Sequence, residues 1–460
     1  MDLLTRNGYV WPSKYPKPFD HQRVTAEHFV TNKRSFCFND IGTSKTLSAL
    51  WAADFLMSKG AIKKVLISSP LSTLWTVWQD EIFFNIYGRR SAVLHGSKKK
   101  RLEQLALDVD FYIINHEGVQ VIWDELSARD DISLVIVDEG AKLKNARTDK
   151  WRAHNLLAGP ESKKGLWWMT GSPMPRSPED VWAQGKIMNQ ELVPRYFTRF
   201  RDLMMVKINM YKYVPVKGWQ DKCFAMLQPA IRYTRDECLD LPPCTTQTRQ
   251  VDMSVEQARA YKDMLDSCRA ELKKGPITAV NEAAKRIKMM QLAAGAVYDG
   301  DEFVHSIDCT RKLCALKESV EEAGNKAIVF VSFRHSIDLL KKFLEGLGLT
   351  VGIVHGGVGT TKRREVFRNF QHGDLQIILA HPGTMSHGLT LTAAHTIIWW
   401  APVDSYETYE QACGRIVRPG QISKQTIIHL ICSDIEAKIY KRLQSKAGMQ
   451  GLLLSLFEEK

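Results

Sequence analysis

Two sets of short β-branched runs, separated by a long stretch of different pattern, constrain the fold of this 460-residue chain most strongly. Each run lacks the alternation of a half-exposed strand and is followed by a turn and a helical stretch, which is typical of parallel strands buried on both faces. The first set lies at 35–38, 64–68, 111–114, 134–137 and 166–169, and the second at 327–331, 351–354, 375–379, 396–400 and 426–430. The sequence therefore predicts an α/β protein with two parallel sheets, one in each of two lobes.

The stretch between the two sets has longer helical patterns, at 254–273 and 277–294, interrupted by the prolines at 242 and 243. We interpret it as a helical connector and not as a third sheet. The predicted division is an N-terminal lobe over 1–190, a connector with helical insertions over 191–308, and a C-terminal lobe over 309–460.

The composition, 44% hydrophobic and 25% charged, is that of a globular protein and excludes fibrous or wholly disordered chains. No apolar run approaches the roughly 18 residues of a membrane span, and the first twenty residues lack the apolar core of a signal peptide. We therefore expect a cytoplasmic protein, in a bacterial or infected host cell, without a membrane partner. The net charge of +12 is shared by both lobes, which favours a polyanionic partner on folded surface.

Residues 39–46 follow the first predicted strand and precede an apolar helical stretch. A strand, a tight loop and a helix N-terminus together form a phosphate cradle, because backbone N–H groups and the helix dipole face the anion. The predicted nucleotide-binding residues of this loop are Asp40, Ile41, Gly42, Thr43, Ser44, Lys45 and Thr46. We expect Lys45 to reach the terminal phosphates and Thr46 to ligate Mg²⁺.

Two positions of the loop depart from the glycine-rich phosphate-binding pattern. Asn39 and Ser44 stand where glycines are usual. Asn39 matters little if Gly42 supplies the bend. Ser44 matters more, because its Cβ lies where the loop approaches phosphate and where a positive φ is expected.

The strand predicted at 134–137 ends on two adjacent carboxylates, Asp138 and Glu139. At the carboxyl end of a parallel strand, Asp138 can hold Mg²⁺ while Glu139 orients and deprotonates an attacking water. Such a pair is also common where loops begin on protein surfaces. Its place downstream of Lys45 and Thr46, again after a buried strand, indicates a nucleotide site with Mg²⁺.

An ordered series of motif-like segments runs along the chain: 18–22 (PFDHQ), the phosphate loop, 65–75 (VLISSPLSTLW), 138–145 (DEGAKLKN), 169–174 (MTGSPM), 328–333 (IVFVSF), 354–357 (VHGG), 388–395 (GLTLTAAH) and 411–421 (QACGRIVRPGQ). In these segments, from about residue 19 to residue 444, the chain resembles superfamily 2 helicases, and within them the Swi/Snf-type double-stranded DNA translocases. The last segment is the most specific match.

The resemblance implies two RecA-like lobes, each a parallel sheet flanked by helices, with helical insertions between them. It implies that Gln22 reads the adenine and that Gly388 and Gln411 also bind nucleotide. It further implies nucleic-acid contacts at Ser69, Pro70, Asn115, Thr170, Ser172, Ser332, Phe333, His355, Gly356 and Thr384.

Arg415 and Arg418 are three residues apart, so on a helix both guanidinium groups project from one face. A planar guanidinium matches the oxygens of a transferring phosphoryl group. Together with the phosphate loop in the first lobe, this spacing predicts arginine fingers from the second lobe, with hydrolysis fast only when the lobes close.

Ala141 stands where the family usually has a histidine that couples the water site to the segment containing Thr170. We expect this change to loosen coupling more than hydrolysis, because Asp138 and Glu139 are retained. We favour an active ATPase.

The sequence thus predicts an ATP-hydrolysing motor that translocates on double-stranded DNA and remodels DNA or DNA–protein complexes. Two alternatives stay open: a strand-separating DNA or RNA helicase, and an ATP-gated DNA-binding scaffold with little turnover. Since no accessory domain is recognisable, we expect a compact bacterial or viral type of motor, a monomer, with any targeting supplied by a protein partner.

Overall fold

The computed structural model describes residues 2–11, 18–209, 212–238, 242–274, 279–298, 304–324, 326–385, 391–418 and 420–457. The chain forms two compact units, each with its own parallel sheet. Unit 1 comprises Met1–Asp240 and Lys446–Lys460, and unit 2 comprises Leu241–Ser445.

The strands of unit 1 are β1 (Arg34–Cys37), β2 (Lys64–Ser69), β3 (Ser91–Leu94), β4 (Phe111–Asn115), β5 (Ile132–Val137), β6 (Gly165–Met169), β7 (Met205–Asn209), β8 (Lys212–Pro215) and β9 (Ala230–Ile231). Seven of them form a parallel sheet in the order β3–β4–β2–β5–β6–β1–β9. The remaining two, β7 and β8, form an antiparallel hairpin.

The helices of unit 1 are α1 (Leu3–Arg6), α2 (Asp20–Thr31), α3 (Lys45–Ser58), α4 (Asp80–Asn85), α5 (Lys98–Leu105), α6 (His116–Val119), α7 (Trp123–Ser127), α8 (Asp149–Ala158), α9 (Val181–Met188), α10 (Phe197–Met204), α11 (Trp219–Met226) and α12 (Arg235–Cys238). They cover both faces of the sheet. Trp167 belongs to the core on one face and Trp168 to the core on the other, which is why β6 shows no alternation of polar and apolar residues.

The strands of unit 2 are β10 (Cys244–Gln250), β11 (Ala296–Tyr298), β12 (Val304–Ser306), β13 (Ala327–Phe330), β14 (Val351–Val354), β15 (Ile377–Ala380), β16 (Thr396–Trp399) and β17 (Gln425–Ile431). Six of them form a parallel sheet in the order β10–β17–β16–β13–β15–β14, and β11 and β12 pair as an antiparallel hairpin. The helices are α13 (Val255–Lys274), α14 (Ala279–Ala293), α15 (Thr310–Ala323), α16 (Arg334–Gly346), α17 (Thr360–His372), α18 (Tyr406–Cys413) and α19 (Asp434–Leu454), the last of which ends in unit 1.

All ten predicted strands are present, with ends within about two residues of the prediction, and the predicted fold class of two helix-flanked parallel sheets is confirmed. The prediction missed three strands of the two sheets, namely β3 and β9 in unit 1 and β10 in unit 2. Strand β10 joins the second sheet parallel to β17. Its residues are polar and mostly exposed, because it is an edge strand with one unpaired side. A search for apolar runs therefore does not find this strand.

The segment at 453–457 packs into the core of unit 1. Leu453, Leu454 and Phe457 are buried there, and the Phe457 ring lies 5.1 Å from that of Phe38. Within the described part of the chain, no helix combines the length and apolar character that a bilayer crossing requires.

Candidate active site

The phosphate loop lies between β1 and α3. Ser44, which precedes the helix, has φ +57° and ψ +45°, and Gly42 has φ +98°. The expectation of a positive φ at position 44 is therefore confirmed. A residue with a Cβ pays about 1–2 kcal/mol for this left-handed conformation, so the loop is strained at the position where a glycine is usual.

Asn39, the other departure from the glycine-rich pattern, anchors the loop. Its side-chain amide donates to Thr25 Oγ1 at 2.9 Å, and its side-chain oxygen accepts from the backbone N–H of Tyr233 at 2.9 Å. Beside it, the Asp40 carboxylate accepts from Arg232 Nη1 at 2.9 Å and from the N–H of Arg235 at 3.0 Å. The loop is thus held from both sides, by α2 and by the chain that follows β9.

Sequence reasoning missed these partners that follow β9. They follow a strand of only two residues and belong to no motif. The one available signal was the apolar Ala-Ile pair of β9 before them, which is too short to distinguish from a loop.

Lys45 and Thr46 open α3 and are partly exposed. The Lys45 ammonium donates to the carbonyl oxygens of Asn39 at 2.7 Å and Asp40 at 3.1 Å, so its side chain lies across the phosphate loop. At the start of α2, the buried Gln22 side chain accepts from the N–H of Phe19 at 2.8 Å. These contacts place the predicted adenine reader next to the loop, because the adjoining His21 ring lies 3.0 Å from the Thr43 carbonyl oxygen.

Asp138 directly follows β5 and is buried. Oδ1 accepts from the N–H of Glu139 at 3.0 Å, and Oδ2 accepts from the Trp78 indole N–H at 3.1 Å. Burial raises the pKa of the Asp138 carboxyl, and the Trp78 hydrogen bond and the positive charge of Lys45 oppose that rise. Lys45 and Asp138, predicted to share one site, therefore interact electrostatically.

Glu139 has φ +49°, the same left-handed conformation as Ser44. The next residue must be glycine, since a Cβ on Gly140 would lie 2.1 Å from the indole nitrogen of Trp168. Ala141 is buried in the short 3₁₀ turn Gly140–Leu143 that follows. The backbone therefore turns sharply away from the sheet immediately after the two carboxylates.

Thr170 and Ser172, predicted as nucleic-acid contacts, lie inside unit 1 beside the phosphate loop. Both are buried, the Ser172 N–H donates to Thr170 Oγ1 at 3.2 Å, and Gln450 donates to Ser172 Oγ at 3.2 Å. A Cβ on Gly171 would meet Ile41 at 3.4 Å. This segment is therefore buried and packs beside the phosphate loop.

Ser69 and Asn115 pair in register at the carboxyl ends of β2 and β4, so the sheet brings these two predicted contacts together. Both side chains are buried, as is Pro70. Asn115 is held between Arg101, which donates to its Oδ1 at 3.1 Å, and Glu117, which accepts from its Nδ2 at 3.2 Å.

We predicted that Arg415 and Arg418 of unit 2 project from one face of a helix, and this prediction is wrong. Helix α18 ends at Cys413, and Arg415 and Arg418 lie in the turns that follow Gly414. Gly414 is the C-cap of α18, so both arginines lie beyond the helix and do not have its i, i+3 geometry.

Each arginine instead donates its Nε–H to the carbonyl oxygen four residues earlier, Arg415 to Gln411 and Arg418 to Gly414, both at 2.9 Å. Gln411 is buried, Arg415 is only 2% exposed and Arg418 is half-buried. The predicted residues therefore stay together as a group, but they do not share a helix face.

The other predicted nucleic-acid contacts of unit 2 lie together at the carboxyl ends of three strands, because β13, β15 and β14 are neighbours in the sheet. Ser332 and Phe333 follow β13, His355 and Gly356 follow β14, and Thr384 follows β15. Thr384 Oγ1 donates to the Val354 carbonyl oxygen at 3.2 Å, and Ser332 Oγ donates to the Pro402 carbonyl oxygen at 3.0 Å. We call this group of five residues the unit 2 edge.

Two arginines at the unit 2 edge were missed. Arg334 is exposed and lies against the loop, since a Cβ on Gly357 would be 2.8 Å from its Nη2. Arg363 donates to the Gly356 carbonyl oxygen at 3.1 Å. Arg334 directly follows Phe333, so its place in the motif was a usable signal.

Gly388 lies outside the described residues. Among the residues that are described, no three His, Cys, Asp or Glu side chains cluster closely enough to hold a metal by themselves. Mg²⁺ commonly binds through one or two protein oxygens together with substrate phosphates, and Thr46 and Asp138 supply oxygens of that kind.

Family models match nearly the whole chain. The model of the SNF2-related domain matches residues 21–315, and that of the helicase conserved C-terminal domain matches residues 309–420. The protein p41 of Acyrthosiphon pisum secondary endosymbiont phage 1 is 25% identical over 97% of this chain and 99% of its own length.

Chromodomain-helicase-DNA-binding protein 1-like of Mus musculus is 22% identical over 90% of this chain, which spans 47% of that relative's length. Among solved structures, the Sulfolobus solfataricus SWI2/SNF2 ATPase core in complex with dsDNA aligns with 96% of this chain and 95% of its own, at 18% identity and a TM-score of 0.45.

Proposed function

Because the chain belongs to the SNF2-related family of superfamily 2 nucleic-acid-dependent ATPases, we propose that it is an ATP-driven motor that translocates on double-stranded DNA. The observation that carries the ATPase part of the proposal is the edge of the first sheet. There the strained phosphate loop and the buried Asp138 follow two strands of one sheet, and Lys45 acts electrostatically on Asp138.

The proposed chemistry assigns a separate task to each residue of unit 1. Lys45 and the N–H groups at the start of α3 bind the phosphates. Thr46 and Asp138 hold Mg²⁺, which neutralises developing phosphate charge when bound. Glu139 orients the attacking water and accepts its proton.

Arg415 and Arg418 of unit 2 are proposed to stabilise the transferring phosphoryl group. A planar guanidinium group carries paired N–H donors that match phosphate oxygens. This role follows from the family and from the 411–421 segment.

Nucleic acid is proposed to contact the unit 2 edge. Backbone groups of its loops and the guanidinium groups of the neighbouring Arg334 and Arg363 can bind phosphate oxygens. Contacts of this kind do not distinguish one base from another. Contact with the phosphate backbone alone suits a motor that must release and rebind at each step, and it predicts binding that weakens steeply with salt. In unit 1 the buried Ser69, Pro70 and Asn115 would act through backbone groups or after local opening.

Displacement of a third strand from a triplex tests translocation directly. We expect ATP-dependent release of the third strand by the parent protein and none by Lys45→Ala. A fork substrate run in parallel reports strand separation. Release from the fork but not from the triplex would identify a strand-separating helicase, and DNA binding with neither release nor ATP turnover would identify a scaffold.

A further inference from the structure

The Asp138 carboxylate is fixed by one N–H on each oxygen. The N–H of Glu139 lies 3.0 Å from Oδ1, and the indole N–H of Trp78 lies 3.1 Å from Oδ2. The first donor is local and would accompany any residue at this strand end. The second comes from 60 residues earlier in the chain, so the fold must deliver it.

Trp78 is completely buried, in the core that covers the α3 face of the sheet. An indole buried in this way normally gives its N–H a partner. The partner is the carboxylate of Asp138, which is the residue proposed to hold Mg²⁺.

The segment that carries Trp78 has unusual local geometry. After a 3₁₀ turn at Leu71–Thr73, the chain forms a π-helix over Leu74–Gln79 and then enters α4. A π-helical turn holds more residues than an α-helical turn and rotates the side chains that follow it. Here Trp78 points into the core, whereas Trp75 of the same turn is only partly buried and packs against the His95 ring at 5.0 Å.

The same segment begins at the end of β2, where nucleic-acid contacts are predicted. Thr73 Oγ1 donates to the Pro70 carbonyl oxygen at 2.9 Å and to Ser69 Oγ at 3.2 Å. One short helical segment therefore connects Ser69 and Pro70 to Trp78, which donates a hydrogen bond to Asp138.

We propose that Trp78 is a positioning residue that orients Asp138 for Mg²⁺, so that it sets the affinity of the site for Mg²⁺–nucleotide and not for nucleotide alone. This inference rests on the proposed function. A hydrogen bond of this kind to a metal-binding carboxylate is commonly worth about 10- to 100-fold in metal affinity.

The test compares Trp78→Phe with Trp51→Phe. Trp51 is also completely buried in the same core, and among the described residues its indole N–H has no hydrogen-bond partner. Both substitutions remove an indole from the core, but only the first removes a donor from Asp138. Binding of a fluorescent ADP is measured for each full-length variant, with Mg²⁺ and with EDTA.

We expect Trp78→Phe to bind Mg²⁺–ADP about 10- to 100-fold more weakly while its affinity for ADP in EDTA stays at the parent value. Trp51→Phe should match the parent in both conditions. Equal weakening of both nucleotide forms would show a purely structural role and overturn the inference, as would unchanged Mg²⁺–ADP binding. A parent protein that binds ADP in neither condition would instead reject the proposed function itself.

Discussion

The residues proposed for catalysis are held in different ways in the two units. In unit 1 they follow strand ends where the backbone is strained. Ser44 and Glu139 are the two non-glycine residues with positive φ in the described part of the chain, and both lie there. In unit 2, Arg415 and Arg418 lie in turns after a helix, each held by a backbone carbonyl.

This difference assigns nucleotide binding and control of the hydrolysis rate to different units. Strain of about 1–3 kcal/mol per residue persists only where the surroundings fix the geometry, as the contacts of Asn39 and Asp40 do here. The Arg415 and Arg418 contacts have a charged donor, and a hydrogen bond of that kind contributes about 1.5–3 kcal/mol. The phosphate loop and Asp138 belong to unit 1, and the arginines assigned to the transferring phosphoryl group belong to unit 2. We therefore expect unit 1 to determine nucleotide binding and unit 2 to determine how fast bound ATP is hydrolysed.

The largest expected effects come from removing one cation from each unit. Lys45→Ala should abolish hydrolysis and weaken ATP binding, because the phosphates lose their cation. Arg415→Ala should lower kcat by about 10³-fold or more while ATP affinity stays near the parent value. Steady-state kinetics and nucleotide binding, with thermal denaturation to verify folding, measure both. Parent-like hydrolysis by both variants would show that the assigned chemistry is wrong.

Unit 2 also contains a buried ion pair away from its arginines. Lys312 Nζ lies 2.7 Å from Glu436 Oε1, and the two side chains are 1% and 0% exposed. Lys312→Met should lower the free energy of unfolding by about 3–5 kcal/mol, because it leaves an uncompensated buried carboxylate. The double variant with Glu436→Leu should recover most of the loss in denaturant titrations. A single variant as stable as the parent would mean that the pair is solvated.

The loss of stability in acid can be compared between the two units through one buried histidine in each. Burial lowers the pKa of His154 in unit 1 and of His429 in unit 2 to about 4, from an ordinary 6.5. Both are neutral when folded, whereas the unfolded chain takes up their protons below pH 6.5. Their contribution to stability is therefore complete above pH 6.5 and is lost as the pH falls toward 4, at about 1.4 kcal/mol per pH unit for each histidine.

Denaturant unfolding between pH 7.5 and 5 measures that loss. His154→Asn should unfold with a shallower pH dependence than the parent, and His429→Asn should behave likewise. If either variant keeps the parent slope, the corresponding ring is not buried in its neutral form.

The smallest expected effect concerns the strained loop. Ser44→Gly should raise the free energy of unfolding by about 0.5–1 kcal/mol, because glycine adopts the left-handed conformation without a Cβ penalty. Ser48→Gly, four residues later within α3, should lower it by about the same amount. Thermal denaturation of the pair measures the contrast, and a loss of stability in both variants would argue against strain at position 44.

Sequence reasoning identified the elements whose physical signal is local. The ten buried strands are continuous apolar runs, and the phosphate loop and the carboxylate pair each follow one of them. The positive φ at Ser44 was also predictable, because the chemistry of a phosphate loop requires it. These features depend on neighbours in the chain.

Two of the features that were missed depend on distant contacts. Arg232 reaches Asp40 from 192 residues away, and the Trp78 donor reaches Asp138 from 60 residues away. Neither pairing leaves a local pattern. The helix expected through Arg415 failed because Gly414 ends α18 earlier than spacing alone suggested.

The most direct test of the central claim is the ATPase rate of the full chain with duplex DNA, single-stranded DNA or RNA at equal nucleotide concentration and low salt. The account predicts that duplex DNA stimulates hydrolysis most, that the stimulation falls steeply as salt increases, and that Lys45→Ala abolishes it. A rate that is the same with all three nucleic acids and without any would contradict the account.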